Sequence, residues 1–304
     1  MIDPEVVSDA VGIADTAASA SGVVVRKVDG IESAHAAASL FAGIWGRRHG
    51  QPVTPEMLRA MSKSGSYVVG AYREETLVGA AVAFHEEPAL RTLHSHITGV
   101  VPGPWRNVGF ALKAHQRAWA LQREITRVAW TFDPLVARNA YFNIAKLRAR
   151  PVEYLENFYG NMSDALNGTD DTDRLLLHWD LLAPDVIDAC HGARMQQMRR
   201  HEAVPLLGMD NDGRPTVGNA PLKADALISV ALPSDVARLR GETPEVAREW
   251  RVAVRAALVP LLRQGAEFVD FDRASDGEGT GQYVLRARSA PHRASPQQGV
   301  THED

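Results

Sequence analysis

Cysteine is nearly absent: Cys190 is the only one in 304 residues. That excludes an intrachain disulfide and any zinc site built from several thiolates, and it suits a reducing compartment. No apolar run approaches the ~20 residues that a bilayer-spanning helix needs. The first twenty residues carry acids but no lysine or arginine, the wrong charge for a secretory leader. A cytoplasmic protein with no membrane partner is therefore expected. The formal net charge is only -4, so nothing global points to a nucleic-acid partner.

Hydrophobic residues make up 45% of the chain and charged residues 23%. This is enough core for one large or two modest domains. The charge is unevenly spread. Residues 103–150 hold nine Lys/Arg against Glu124 and Asp133, a local +7 that leaves the remainder at -11. Solvated helix faces explain part of such a stretch. A basic surround for a phosphorylated ligand explains it as well, and the second reading gains from what lies inside. A β-branched run ending at Val100 and Val101 enters the turn Pro102-Gly103-Pro104-Trp105, which opens through Arg106-Asn107-Val108-Gly109-Phe110-Ala111 into an amphipathic segment. A helix start leaves several backbone N–H groups without intrahelical partners and carries the positive end of the dipole. A small residue such as Gly109 lets a phosphate approach that backbone. The spacing is neither the three-glycine dinucleotide fingerprint nor a Walker loop, which requires Gly-Lys-Ser/Thr.

Periodicity and punctuation place strands at 22–28, 66–73, 76–84, 92–101, 127–132 and 175–182, with the middle pair of the first four joined as a hairpin through Glu74-Glu75. Helices are expected at 31–45, from the N-cap Thr54 with Pro55 and Glu56 to Ser62, at 108–125 and at 137–147. The order is β-α-α-β-β-β-α-β-α-β: an α/β (α+β) chain whose mixed sheet carries helices on its faces. Beyond an irregular stretch, strand signals at 227–232, 268–271 and 282–286 and a helix starting at Thr243-Pro244-Glu245 form a strand-helix-strand-strand extension. The expected organisation is a flexible tail at 1–21, a main domain at 22–188, a connection at 189–221, the extension or small second domain at 222–287, and a flexible tail at 288–304. The extension is read as a cover for the acceptor side or as a dimerisation surface, which makes a homodimer one expectation.

The motif Arg106-x-x-Gly109-x-Ala111 at a strand–helix junction, with this element order around it, resembles the pyrophosphate loop of the GNAT superfamily of acyltransferases. The resemblance implies the GNAT-like mixed sheet over roughly 22–182 and an acyl-CoA co-substrate. The CoA diphosphate would lie on the amides of Asn107, Val108, Gly109, Phe110 and Ala111, with Arg106 adding charge. The splayed strand end would leave backbone groups of Val100 and Val101 to pair with pantetheine amides. Asn139 or Asn143 would bond pantetheine or nearby backbone, and Asn139, Asn143 and Lys146 share one helical face by i, i+4, i+7 spacing.

On the incoming strand, His94, His96, Thr98 and Val100 alternate onto one face. By the resemblance, His94 and His96 lie nearer the acceptor. A histidine there has a pKa suited to taking a proton from an ammonium. His-x-His also invites a metal, with Glu86, Glu87 or Asp133 as third ligand; the preferred reading uses none. Many family members place a proton-donating tyrosine late on the following helix. This chain has Ile144 there, and Arg148 at a customary glycine, so Tyr159 is the substitute, ahead of Tyr141 and Tyr154. The combination of His94-Ser95-His96 with Asn139-Ala140-x-Phe142-Asn143-x-x-Lys146-Leu147 and an extension resembles a longer subgroup of amino-acid N-acyl- or N-succinyltransferases. It implies acetyl- or succinyl-CoA as donor and a small-molecule amine, such as an amino acid, as acceptor. The alternative readings are a non-catalytic acyl-CoA-binding sensor of the same fold and nucleotide or nucleic-acid binding by the basic stretch.

Overall fold

A computed structural model describes residues 1–45, 51–160, 170–193, 203–218, 223–273 and 281–288. Two sheets share one hydrophobic core. The first has seven strands: β1 (Val24–Lys27), β2 (Tyr67–Arg73), β3 (Thr76–His85), β4 (Thr92–Val100), β5 (Arg127–Phe132), β6 (Arg150–Leu155) and β7 (Arg174–Asp180), in the order β1-β2-β3-β4-β5-β7-β6. Neighbours are antiparallel except β4 and β5, which run parallel. That step needs a crossover, and a helix makes it. β2 is buried along nearly its whole length because helices lie on both faces, and its sequence is correspondingly apolar without alternation.

On one face, α1 (Pro4–Ala20) packs on the crossover helix α4 (Val108–Leu121); on the other lie α2 (Ile31–Trp45) and α3 (Pro55–Lys63). The expectation of a flexible tail at 1–21 is corrected here. Asp3 accepts a hydrogen bond from the Glu5 amide at 2.9 Å, Pro4 sits in the first turn, and Ala10, Ala14 and Ala17 form the buried i, i+4, i+7 stripe. Small side chains let the two helices approach closely, so the stripe buries area without bulky residues.

The expected helix at 137–147 begins as α5 (Ala137–Ala140) and widens into a π turn over Tyr141–Lys146. The edge strand β6, and α6 (Pro184–Cys190) after β7, are elements that the sequence pattern does not indicate. The second sheet contains β8 (Val204–Met209), β9 (Pro215–Val217), β10 (Leu227–Ala231), β11 (Glu267–Asp272) and β12 (Gln282–Arg286), ordered β11-β12-β10-β8-β9. Two helices, α7 (Val236–Glu242) and α8 (Pro244–Arg263), connect β10 to β11. The strand-helix-strand-strand pattern is present, but β8 and β9 come from the stretch expected to be a connection at 189–221. Residues 289–304 of the expected C-terminal tail lie outside the described residues.

The second sheet is joined to the first by a buried ionic network at the end of β5. Arg251 of α8, 1% exposed, holds Asp133 through both nitrogens at 2.9 and 3.1 Å and Asp170 at 2.9 Å. Arg240 of α7 reaches Asp133 at 2.6 Å, and Arg255 forks onto Asp173 at 2.8 and 2.6 Å. Tyr283 donates to the Pro134 carbonyl at 2.7 Å. Arg148, in left-handed backbone at φ 58, bonds the Val269 carbonyl at 3.3 Å. Burial alone would raise the Asp133 pKa, but the charge and hydrogen bonds of Arg251, then Arg240, hold it well below the usual carboxylate range.

Two outcomes are expected. Ala10→Asp buries a carboxylate between α1 and α4 and lowers the unfolding free energy by ~3 kcal/mol in denaturant titration. Arg251→Met leaves the buried Asp133 and Asp170 to share Arg240 and costs about 3 kcal/mol. Because the folded pKa of Asp133 is depressed, its contribution is fully present above the unfolded value of ~3.9 and is lost as pH falls towards the folded one. Urea midpoints of the wild type measured from pH 6 down to pH 2 should therefore drop only below about pH 4.

Candidate functional site

β4 and β5 are paired over only three couples, Thr92 with Arg127, Leu93 with Val128 and His94 with Ala129. Past His94 the two strands part. β4 stays on its other neighbour: Gly79 of β3 faces Val100, and the Val101 amide donates to the Val78 carbonyl at 3.0 Å. In an antiparallel ladder the bonded pairs alternate, so the Val100 N–H and C=O turn away from β3 into the opening. Of the two positions expected to offer free backbone, Val100 does so and the Val101 amide is already taken.

The register of β3 on β4 steps from Val82–Ile97 to Ala83–Ser95, which makes His96 a bulge. The bulge reverses the alternation. Before it, Leu93 and Ser95 face α4. After it, Ile97 packs on the α2 side while Val100 packs on the α4 side. His94, His96, Thr98 and Val100 therefore do not share one face, contrary to the alternation read from sequence. Gly99 lies where α2 comes closest: a Cβ there would stand 2.7 Å from Ile44 and 2.9 Å from Trp45.

The opening leads to the start of α4. Asn107, exposed and left-handed at φ 61, is the N-cap, and the first intrahelical bond runs from the Ala111 amide to its carbonyl at 3.0 Å. The amides of Val108, Gly109 and Phe110 thus precede the helical ladder. The Val108 and Ala111 side chains anchor the helix in the core. At Gly109 an added Cβ would meet only Phe142, at 4.0 Å. Arg106 is exposed. Lys146 comes to the same place: its Nζ donates to Asn107 Oδ1 at 3.0 Å and lies 4.9 Å from the Phe110 ring centre, and partial burial lowers its pKa. The π turn breaks the expected stripe of Asn139, Asn143 and Lys146. Asn143 is buried at 5%, Asn139 is half-buried, and Lys146 alone reaches the loop.

The opposite face of the opening carries the imidazoles. His94 is half-buried, its Nδ1 3.8 Å from Glu86 Oε1, and His96 is exposed beside it with ring centres 6.1 Å apart. Burial lowers the His94 pKa, and the charges of His96 and Lys113 lower it further. Tyr159 stands over the diverging end of β5, its hydroxyl 3.4 Å from Thr131 Oγ1 and its ring 5.2 Å from the Arg174 guanidinium. Ile144 is buried. Asp133, a third metal ligand in one sequence reading, is engaged by arginines, and among the described residues no group of three His, Cys, Asp or Glu is arranged to hold a metal.

Sequence reasoning passed over Lys113. It lies off the apolar stripe of α4 and entered only as one of the nine basic residues of 103–150, but it is buried, with Nζ 3.1 Å from Ser95 Oγ, 3.0 Å from Gln116 Oε1 and 3.8 Å from the Trp130 ring centre. Desolvation brings its pKa down to about 7. The helix is covered by both the sheet and α1, so a side that periodicity assigns to solvent is inside.

No protein-family model matches the chain, and no curated protein matches it. Among solved structures, an acetyltransferase of the GNAT family from Streptococcus pneumoniae is similar over 51% of this chain and 97% of its own, with 12% identity and a TM-score of 0.42. An N-acetyltransferase from Staphylococcus aureus Mu50 covers 52% of this chain and 98% of its own at 14% identity and a TM-score of 0.42. The ribosomal-protein-S18-alanine N-acetyltransferase from Escherichia coli covers 52% and 94% at 13% identity, also with a TM-score of 0.42. At such identities and scores the fold assignment rests on the chain's own topology: a mixed seven-stranded sheet with helices on both faces and one parallel step, at which the strands part.

Proposed function

We propose that the protein transfers an acyl group from acyl-CoA, acetyl- or succinyl-CoA, to the amine of a small molecule, with an amino acid as the acceptor type. The observation that carries this reading is the parting of β4 from β5 beside the bare first turn of α4. An extended amide-bearing arm fits between diverging strands, where backbone groups stand unpaired. A diphosphate fits a helix start with three free amides. Arg106 and Lys146 add positive charge at that end.

In this reading pantetheine pairs with the Val100 backbone, which brings the thioester to the narrow part of the opening. The acceptor approaches from the histidine face. Direct attack needs a deprotonated amine, alignment with the thioester carbon and a donor aimed at the developing oxyanion. His94 is the better base of the two histidines. Its depressed pKa keeps it neutral at pH 7, and Glu86 beside it stabilises the imidazolium that forms when the proton arrives. His96, at the bulge, orients the acceptor. In this reading Tyr159 returns a proton to the leaving thiolate, a role supported by its hydroxyl lying 3.4 Å from Thr131 Oγ1 on β5. The amine attacks carbon, the C–S bond breaks, and the thiolate leaves as CoA thiol once protonated. The second sheet serves as a brace on the β5 side of the opening through Asp133 and Pro134.

Three measurements test this. Wild type should show a rise in thermal midpoint with CoA or acetyl-CoA, since a ligand of the native state must stabilise it. Gly109→Glu places a carboxylate where the diphosphate would sit and should abolish that rise with the fold intact; a retained rise refutes the site. With substrate amines, thiol release should follow, and binding without release favours a sensor. His94→Ala should lower kcat/KM by about 100-fold or more. The wild-type acid limb should fall below pH 6.5, because the proton must be absent and the pKa is depressed.

A further inference from the structure

The closed end of the opening between β4 and β5 holds a cation without a counter-charge. Ser95 and Trp130 are the first residues past the last ladder couple, His94 and Ala129, and the Lys113 Nζ touches both, at 3.1 Å from Ser95 Oγ and 3.8 Å from the Trp130 ring centre. Its remaining partner is Gln116 Oε1 at 3.0 Å. Hydroxyl, amide and indole are all neutral. Among the described residues no carboxylate forms an ion pair with Lys113. Asp133 and Asp170 are taken by Arg251, and Glu86 lies beside His94.

Gln116 supplies a second, independent observation. It is 1% exposed, its oxygen is occupied by Lys113, and its Nε2 donor is buried with no partner. The Ser95 hydroxyl, accepting from Lys113, keeps its own hydrogen to give. A buried ammonium without an anion, a hydroxyl hydrogen still to be given and an amide donor without an acceptor thus belong to three side chains in mutual contact. Buried donors are ordinarily satisfied, and a buried ammonium is costly unless an anion accompanies it. A carboxylate supplies both the charge and the acceptor lone pairs. Charge-assisted bonds of this kind are the stronger ones.

We propose that Lys113 determines acyl-group specificity, receiving with Gln116 and Ser95 a carboxylate at the far end of the donor's acyl chain, so that the preferred donor is the CoA thioester of a dicarboxylic acid. This deepens the acyl-CoA reading of the opening and rests on it. An acetyl group leaves the ammonium and the Gln116 donor unanswered at the closed end. A four-carbon diacid thioester extends past the reacting carbon and ends in the group that these side chains lack.

Isothermal titration of the full chain with CoA, acetyl-CoA and succinyl-CoA tests the proposal. Wild type should bind succinyl-CoA at least about tenfold more tightly than acetyl-CoA. Lys113→Met, which keeps the volume and removes the charge, should bring the two within about twofold while leaving the affinity for CoA unchanged. A measurement on the wild type guards against a variant that folds poorly. At pH 8, where much of Lys113 is an uncharged amine, succinyl-CoA should take up close to one proton per site on binding, read from titrations in buffers of different ionisation enthalpy, and acetyl-CoA should take up none. CoA binding without donor preference, a preference kept by Lys113→Met, or equal proton uptake by both donors overturns the role of Lys113 alone. Failure of CoA itself to bind overturns the acyl-carrier reading and the role of Lys113 with it.

Discussion

β4 cannot follow β5 beyond His94 because its other edge is already committed. The antiparallel ladder with β3 continues to Val101, and the bulge at His96 bends β4 and re-aims its side chains partway along. Beneath the fork, Trp130 and the buried Lys113 fill the α4 side and Gly99 lets α2 close the other. The cleft is therefore a consequence of strand pairing rather than of a loop. Its walls are backbone held by long ladders, which makes it rigid, and the start of α4 lies where the parted strand ends. The diphosphate site, the pantetheine track and the acyl pocket proposed above are three depths of the same fork.

The second sheet bears on that fork from the β5 side. β5 runs directly into Asp133, and the turn that follows launches the segment carrying Lys146 to the α4 start. Arg251, Arg240 and Tyr283 all grip this turn. Buried ion pairs contribute little net stability when complete and cost much when broken. Their effect here is positional: the angle at which the chain leaves β5 is set by groups that lie more than a hundred residues away in sequence. Arg148 has the same logic. Its left-handed backbone is a conformation that glycine adopts without strain, and the contacts to Val269 and Asp270 compensate for using a larger residue.

Much was legible locally. The strand-turn-helix around Arg106, Gly109 and Ala111, the hairpin at Glu74-Glu75 and the helix start at Thr54-Pro55 rest on short-range rules that tertiary contacts did not override. Asp3-Pro4-Glu5 carries the same helix-start chemistry as Thr54-Pro55-Glu56, but the alanine-rich segment behind it has little apolar contrast, so periodicity does not mark the helix. β8 and β9 lack the alternation of a half-buried strand, so the same criterion does not find them.

By itself the sequence determined the order of most elements, the strand-turn-helix at 100–111 and the residue types that line it, because capping, alternation and glycine placement act over a few residues. Tertiary structure decided what depends on pairing register and on layers. The bulge at His96 divided the histidine strand into two faces, the π turn separated Asn143 from Lys146, and the packing of α4 on β4 and β5 put Lys113 inside. None of these is encoded at short range, since each arises when a distant strand or helix takes up a hydrogen-bonding edge or a surface that the local chain leaves open.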